Sequence, residues 1–370
     1  LSIEGDLVIS STLNTGNFDI SLGGSWTNTG FFTEGTGEVT FNGNEDQTLT
    51  NDLGETFYDL VIDKESGGLI LDNNIVATNS LNLNKGIIET GTNKITLGSS
   101  ISSIGTLSRY SGWINGQFER WLNTTGVDYE FPVGSSGDYN PASINFTALT
   151  SGSLITEFSD NNPGNGGLPL TESSFDINNT FVDGYWSMVR DNSLESADYD
   201  LALTGNGLSS FTITPETRLL TRASGSSDWS LEGTHASASG NTAYRNGISI
   251  LSAEYAFGDT SNCSQPLTSV INGSSSRCAN DAGVPYFVTD SPGSTYTWTI
   301  SGGTVAGGQG TSAITVDWGG TGMTGQVMVV ENNGCTDGEP VSLDVEIGPL
   351  PTSEITGSIT AAAGEQGLIY

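Results

Sequence analysis

The chain has very few basic residues. Its 370 residues include 10 lysines and arginines against 42 acidic residues, so its formal net charge is −32. Lysine occurs only at Lys64, Lys85 and Lys94, and the single histidine is His235. So negative a chain repels DNA, RNA and anionic lipid, which excludes nucleic-acid partners and argues against direct membrane insertion. It is also poorly supplied with the groups that general acid–base catalysis uses most.

Long hydrophobic runs are missing as well. No stretch approaches the about 18 apolar residues that a membrane-spanning helix needs. The hydrophobic residues, 35% of the chain, mostly alternate with Ser, Thr, Asn or Gly, and no long window has a helical period. This alternation predicts strands with one buried face and an all-β fold. The chain opens at Leu1 and closes at Tyr370 in strand-like patterns, so we expect a piece of a longer polypeptide.

Cysteine is scarce, and all three cysteines fall in the last third of the chain: Cys263, Cys278 and Cys335. Their spacing fits no zinc or redox motif. An exported protein would oxidise two of them and leave one over. We favour Cys278 with Cys335, because each lies beside a predicted strand of one small domain, and such a bridge is worth about 4 kcal/mol in the chain-entropy model. Cys263 with Cys278 is the competing pair.

Residues 1–105 have a repeating pattern with turn residues between strand-like centres. The centres lie near Ile9, Leu22, Phe41, Val61, Leu83 and Leu97. In addition, residues 15–23 resemble residues 90–98, with Ile20 over Ile95. A period of about 20 residues with Gly and Asn corners predicts a β-solenoid, whose coils stack at about 4.8 Å. The alternative is a two-sheet sandwich with a chance similarity.

The remaining residues predict further β domains. Residues 106–258 combine short alternating strands with polar turns, which predicts a central antiparallel β-sandwich. Residues 259–262 read as a linker, and residues 263–349 as a compact unit with a strand Trp between two cysteines, as in an immunoglobulin-like sandwich. After Pro349-Leu350-Pro351, residues 352–370 look like the start of a further module.

Several motifs of the last third carry a family resemblance. The runs Tyr296–Thr304, Gly308–Ser312 and Asp317–Gly319 resemble the PKD-like modules of Bacteroidota surface proteins, and Asn333-Gly334-Cys335 fits the same pattern. The middle domain, which contains Phe131-Pro132-Val133-Gly134, resembles a sandwich domain found in the same exported proteins. The resemblance implies type IX secretion, an extracellular or cell-surface location, and a role in adhesion, gliding motility or surface display. It also implies secretion machinery or outer-membrane partners, and an extracellular glycan or surface ligand. The family's C-terminal sorting domain does not occur in these residues, so the export route is an inference.

Catalytic signals are few. His235 lies among small residues without a nucleophile motif, which favours a solvated loop histidine over a general base. Gly320–Gly325 spells a dinucleotide-binding pattern, but it lies between predicted strands, where a hairpin connection is the better interpretation. Glu34 and Glu38 could form the carboxylate pair of a glycoside hydrolase, yet they fall in a solenoid turn of an acidic chain. We therefore predict no catalytic residues and no enzyme activity.

Calcium is the more credible ligand, since oxygen-rich loops can bind it without an EF-hand. The predicted calcium ligands are Asp191, Asn192, Glu195, Asp198 and Asp200, and a solvated acidic loop is the alternative. Asp160, Asn161 and Asn162 form a second polar loop. The strand tryptophans are expected in the core rather than stacked on sugars: Trp121, Trp186, Trp298 and Trp318.

The sequence thus predicts a non-catalytic segment of a large secreted bacterial surface protein. Two alternatives remain: an accessory region of a secreted carbohydrate-active enzyme, and a purely structural stalk.

Overall fold

A computed structural model describes residues 1–173, 175–209, 211–259, 266–291, 294–320, 324–332 and 337–349. The chain divides into two compact units, Leu1–Asn262 and Cys263–Tyr370. All regular structure within the described ranges is β, which confirms the predicted fold class. In that part of the chain no helix is long and apolar enough to cross a membrane. Residues 350–370, which include the predicted further module, lie outside the described residues.

The first half of unit one consists of strands that follow one another around successive coils. They are β1 (Ser2–Ile3), β2 (Leu7–Ile9), β3 (Thr12–Asn14), β4 (Ile20–Leu22), β5 (Trp26–Asn28), β6 (Phe31–Thr33), β7 (Glu38–Phe41), β8 (Gln47–Thr50), β9 (Glu55–Leu71), β10 (Ile75–Leu97), β11 (Thr106–Arg109) and β12 (Trp113–Leu122).

These strands form a parallel β-solenoid of about six turns. One buried column runs from Ile20 through Val39, Leu60 and Leu81, each pairing in register with the next. A second column joins Trp26 to Leu49 and Leu71. Many hydrogen bonds between adjacent coils join residues 19 to 23 positions apart, for example Asp6 to Ser25 and Ser25 to Thr48. The predicted period of about 20 residues is therefore confirmed.

The similarity between residues 15–23 and 90–98 does not mark a structural repeat. Ile20 belongs to the column that continues through Val39, whereas Ile95 pairs with Phe118 in a different column. The two segments instead have a similar turn conformation: Gly16 has a φ of 63° and Gly91 a φ of 59°, and each precedes an Ile-x-Leu strand. The same local sequence thus builds two different corners of the coil.

Acidic and amide side chains hold the corners together. Asp6 Oδ1 accepts a hydrogen bond from Ser25 N at 2.8 Å, one coil later, and Asp19 Oδ1 accepts from Glu38 N at 2.9 Å. In the same way, Asp46 Oδ1 accepts a hydrogen bond from Gly68 N, and Asn74 Oδ1 accepts one from Lys94 N. A coil that turns a corner leaves backbone N–H groups without ladder partners, and these oxygens satisfy them. Part of the acidic excess is therefore structural.

Two charged side chains are buried inside the coils. Glu55 is 5% exposed, and its Oε2 accepts hydrogen bonds from Trp26 Nε1, Asn28 Nδ2 and Asn51 Nδ2 at 2.8–3.0 Å. Lys64 is 1% exposed. Its Nζ donates to Gly43 O at 2.8 Å, Glu45 O at 2.9 Å and Gln47 Oε1 at 2.7 Å. Each buried charge is thus satisfied by polar groups, as burial demands.

The second half of unit one consists of the sandwich strands. They are β13 (Asp128–Phe131), β14 (Val133–Gly134), β15 (Ala142–Thr150), β16 (Gly152–Ser159), β17 (Leu170–Glu172), β18 (Phe175–Ile177), β19 (Asn179–Thr180), β20 (Tyr185–Asp191), β21 (Glu195–Thr204), β22 (Arg218–Ala223), β23 (Thr234–Ser239), β24 (Thr242–Ile248) and β25 (Ala253–Asp259).

The sandwich has two antiparallel sheets, and one of them is continuous with the solenoid. β12 pairs in parallel with β10 and antiparallel with β16, after which the sheet continues through β20 and β25 to β22. The second sheet has the order β13-β15-β21-β24-β23. Solenoid and sandwich residues share a single hydrophobic core. The sandwich therefore covers the hydrogen-bonding edge that the last coil would otherwise expose.

Glu119 joins the two halves at this edge. Its side chain on β12 is 3% exposed. The carboxylate forms an ion pair with Lys94 Nζ of β10 at 2.7 Å and accepts a hydrogen bond from Thr96 Oγ1 of β10 at 3.0 Å. From the sandwich it accepts hydrogen bonds donated by Ser153 Oγ at 2.6 Å and Asn192 Nδ2 at 3.1 Å. One carboxylate thus fixes the last coil against the first strands of the sandwich.

Unit two is a smaller sandwich. Its strands are β26 (Ser276–Cys278), β27 (Val284–Phe287), β28 (Thr295–Ser301), β29 (Gly303–Gly307), β30 (Ala313–Trp318), β31 (Thr324–Asn332) and β32 (Val341–Gly348). They form sheets of order β26-β32-β31-β28 and β27-β30-β29. Alternate residues such as Tyr296 and Trp298 face a separate hydrophobic core.

Candidate functional site

The outer face of the second sandwich sheet carries a polar groove. The strands alternate where they line the groove: on β15, Ile144 and Phe146 are buried while Ser143 and Asn145 face outwards. On β21, Leu201 and Leu203 are buried, and the alternate residues Asp200 and Ala202 face the groove. The period of two in the sequence therefore places a row of small and polar side chains on one accessible surface.

One cross-strand row forms the centre of this groove. Glu130 pairs with Ser143, Ser143 with Ala202, and Ala202 with Tyr244. The small Ser143 and Ala202 side chains leave space between the half-buried Tyr244 and Glu130. This space has a volume of about 340 Å³. It joins a second space of about 370 Å³ that shares Ser143, Ala202 and Tyr244 and extends to Asn145 and Asp200.

Polar groups on the neighbouring rows are held in place by hydrogen bonds. Asn145 Nδ2 donates to Asp128 Oδ1 at 2.7 Å. Asp200 Oδ1 accepts from Gly247 N at 3.0 Å. Glu130 accepts from the Tyr139 hydroxyl, and burial, followed by this bond, raises the pKa of that phenol. No lysine or arginine is among the residues lining the groove. The surface is therefore fixed, acidic and rich in hydrogen-bonding groups.

A buried charge cluster lies elsewhere in the sandwich. Arg245, fully buried, donates through Nη1 and Nη2 to the two oxygens of Glu172 at 3.2 and 2.9 Å. Arg218 Nε lies 2.9 Å from Glu172 Oε2, and Phe175 lies under its guanidinium at 5.0 Å. Glu172 belongs to the β17–β18 hairpin, so these ion pairs fasten the hairpin to β22 and β24. Losing one partner would leave a buried charge uncompensated.

His235 belongs to this cluster, and the predicted solvated loop is wrong for it. It lies on strand β23, half-buried, with Nε2 2.9 Å from Arg218 Nη1. Burial and the adjacent Arg218 guanidinium lower the pKa of His235. Because the neutral ring can accept from the guanidinium, the histidine completes a structural network.

Glu34 and Glu38 lie on the solenoid, as the sequence predicts. Glu34 is half-buried and its backbone oxygen faces Thr15 Oγ1 at 3.4 Å. Glu38 begins β7 and its Oε1 accepts from Thr40 Oγ1 at 3.0 Å.

Each of the five predicted calcium ligands makes a hydrogen bond or an ion pair. Asn192 donates to Glu119 at 3.1 Å, Glu195 pairs with Arg190, Asp198 accepts from Thr147, and Asp200 accepts from Gly247 N. Asp191 Oδ1 accepts from Asn192 N at 2.7 Å. Among the residues that the structure describes, no group of three or more His, Cys, Asp or Glu side chains is placed to hold a metal ion. Calcium binding here stays a prediction of the sequence.

Comparison with known proteins identifies a family in the second unit. Residues 264–345 match the sequence profile of the PKD-like domain family. This stretch is a PKD-like domain. Domains of this kind typically occur in extracellular proteins. No curated protein matches the chain, and no solved structure matches it.

The PKD-like domain carries a groove of its own, of about 570 Å³. Its lining includes Gln326, Asp344 and Glu346, and no aromatic side chain. Three of the tryptophans predicted for the core are buried: Trp298 is 3% exposed, Trp318 is 4% exposed, and Trp186 of the first unit is 0% exposed. Trp121 is half-buried.

The remaining sequence motifs of the PKD-like domain fall partly outside the described residues. In the motif Gly320–Gly325, Gly320 follows β30, Thr324 and Gly325 begin β31, and residues 321–323 are outside the described ranges. Cys278 is half-buried, and its two possible partners, Cys263 and Cys335, are outside those ranges. Neither disulfide pairing is tested, and Cys278 with Cys335 stays a prediction.

The groove around Tyr244 was not predicted from the sequence. The signal was present in the alternation of β15 and β21, which separates the buried residues from Ser143 and Ala202. The pairing of β15 with β21, and of β21 with β24, is not visible in a single sequence, because it joins residues far apart in the chain.

Proposed function

We propose that this chain is a non-catalytic segment of a large secreted bacterial surface protein, acting in adhesion or surface display. The observation that carries the proposal is the PKD-like domain at residues 264–345, a module of extracellular proteins. It is supported by the rigid first unit, in which a solenoid and a sandwich share one core. Such a unit presents a fixed surface to a partner at little entropic cost.

The finer parts of the proposal rest on the sequence resemblance. The motifs around Trp298 and Trp318 are similar to Bacteroidota surface proteins, which implies export by type IX secretion, with secretion machinery or outer-membrane partners. Gliding motility is a further role of that family. The high acidic charge suits an exposed segment, because like charges keep neighbouring copies apart.

Two other functions are the accessory region of a carbohydrate-active enzyme and a structural stalk. A stalk needs no binding surface, so the preorganised groove around Tyr244 favours a binding segment over a stalk. An accessory region would also bind, but its loss would reduce the turnover of a polysaccharide.

The test is deletion of residues 1–349 from the gene in the source bacterium, with the rest of the protein kept in frame. We expect antibodies against this segment to label intact wild-type cells. The deletion should reduce attachment to surfaces while secreted polysaccharide hydrolysis stays unchanged. Unlabelled intact cells, or full attachment by the deletion strain, would overturn the proposal; a loss of hydrolysis would favour the enzyme accessory.

A further inference from the structure

We propose that the groove around Tyr244 binds an uncharged polysaccharide, an inference that rests on the proposed surface function and names its ligand class. Tyr244 is the aromatic residue that lines both parts of the groove. It stands beside Ala202 and Ser143, whose small side chains leave its ring accessible from the groove. A ring beside a shallow channel can pack against the apolar face of a sugar ring while its hydroxyl stays hydrated.

The polar groups around the ring suit hydroxyl ligands. Carboxylates accept hydrogen bonds and side-chain amides both donate and accept. Asp128, Asn145 and Asp200 lie in one cross-strand row, beside the row that contains Tyr244. Their partners Asn145 and Gly247 already fix two of the carboxylates, so little side-chain entropy would be lost on binding.

The dimensions favour a chain of sugars over a single one. The groove crosses four strands from β13 to β24, about 14 Å at the usual spacing between strands. Its two parts are continuous through Ser143, Ala202 and Tyr244. An oligosaccharide segment can therefore lie across the sheet and contact Tyr244 and the carboxylate row together.

The charge of the groove decides between classes of polysaccharide. Asp128, Glu130 and Asp200 line it, and no basic residue does. A uronate or sulfate polymer would bring negative charge against these carboxylates and would be repelled. An uncharged glycan has no such penalty, and its binding should depend little on salt because no long-range charge attraction is involved.

The test is affinity electrophoresis of the whole chain in gels containing soluble uncharged glucans, mannans, galactans or xylans. Dextran and dextran sulfate form a matched pair. We expect at least one uncharged polymer to retard the chain, equally in low and high salt, and the acidic polymers not to. Retardation by acidic polymers alone, retardation that disappears in high salt, or no retardation by any uncharged polymer overturns the inference.

Variants then locate the site. Tyr244→Ala should weaken binding about tenfold, the scale of a lost aromatic contact. Ser143→Gln fills the groove without changing its charge, and should weaken binding even if Tyr244→Ala folds poorly. Tyr58→Ala is the matched control, because Tyr58 is a half-buried tyrosine on the solenoid. Equal binding by all three variants overturns the assignment. If cells lacking residues 1–349 lose attachment but Tyr244→Ala cells do not, the proposed function stands and the groove assignment fails.

Discussion

Replacement of the buried Lys64 by Met should make the stability of the solenoid respond differently to alkaline pH. Lys64 is 1% exposed, and burial lowers its pKa from 10.5 to about 8. Between pH 8 and 10.5 the folded protein has released this proton while the unfolded chain still holds it. The unfolded state therefore binds more protons in that window, so the wild-type stability contributed by Lys64 rises with pH.

The size of the effect follows from the lowered pKa. Lowering the pKa from 10.5 to about 8 means that folding disfavours the charged amine relative to the neutral one by about 3 kcal/mol, with desolvation and the nearby Asp46 and Glu45 charges taken together. The ammonium donates hydrogen bonds to Gly43 O, Glu45 O and Gln47 Oε1, and these contacts are already part of that net value. The stability of the wild type relative to Lys64→Met should therefore rise by about 3 kcal/mol between pH 7 and pH 10.5.

The assay is urea denaturation of both proteins at several values of pH, followed by tryptophan fluorescence and circular dichroism. Subtracting the two curves removes the titration of other groups. Lys85→Met is the control, because the pKa of the exposed Lys85 is raised by Glu65 and its contribution should be constant up to pH 10.5. A difference between wild type and Lys64→Met that is flat or falls between pH 8 and 10.5 would refute the reasoning.

Four further results are expected. Glu55→Ala should cost about 3 kcal/mol or more in urea denaturation, because three buried donors lose their acceptor; a cost below about 1 kcal/mol would contradict this. Gly35→Ala should lower the melting temperature more than Gly91→Ala: both have a φ of 59°, but a Cβ at Gly35 would lie 1.4 Å from Gly16 O, while Gly91 has open space. His235→Gln should weaken the loss of stability as pH falls below 6.5, because a lowered folded pKa means that the unfolded state binds more protons there; identical acid melting curves would disprove it. If the five predicted ligands bind calcium, the ion should raise the melting temperature relative to a chelator, because a ligand that binds only the folded state stabilises it; an unchanged melting temperature would favour the solvated acidic loop.

Local patterns were sufficient to predict much of the fold. Alternation in the second unit predicts strands at 295–300 and 313–318, and the structure has β28 and β30 there. The solenoid followed from its period. What the sequence could not show was the pairing of β12 with β16, because that choice joins residues distant in the chain and depends on the whole core.

Side-chain environments were predicted less well than strands. His235 lies among small residues that look like a loop, but Arg218 approaches it from another strand. The burial of Arg218 and Arg245 depends on Glu172, whose hairpin is placed by tertiary packing. The same limit applies to the groove: the sequence contains Tyr244, but only sheet order shows that Ala202 and Ser143 stand beside it.

The stacking of coils also determines how the first unit yields to a pulling force. Its strands lie across the stack, so tension along the stack separates one ladder of hydrogen bonds at a time. The coil farthest from the sandwich should detach first, because Glu119 and β16 anchor the other end. Each released coil of about 20 residues adds roughly 65 Å of extended chain. Such coil-by-coil unfolding would absorb mechanical work under flow and leave the sandwich folded.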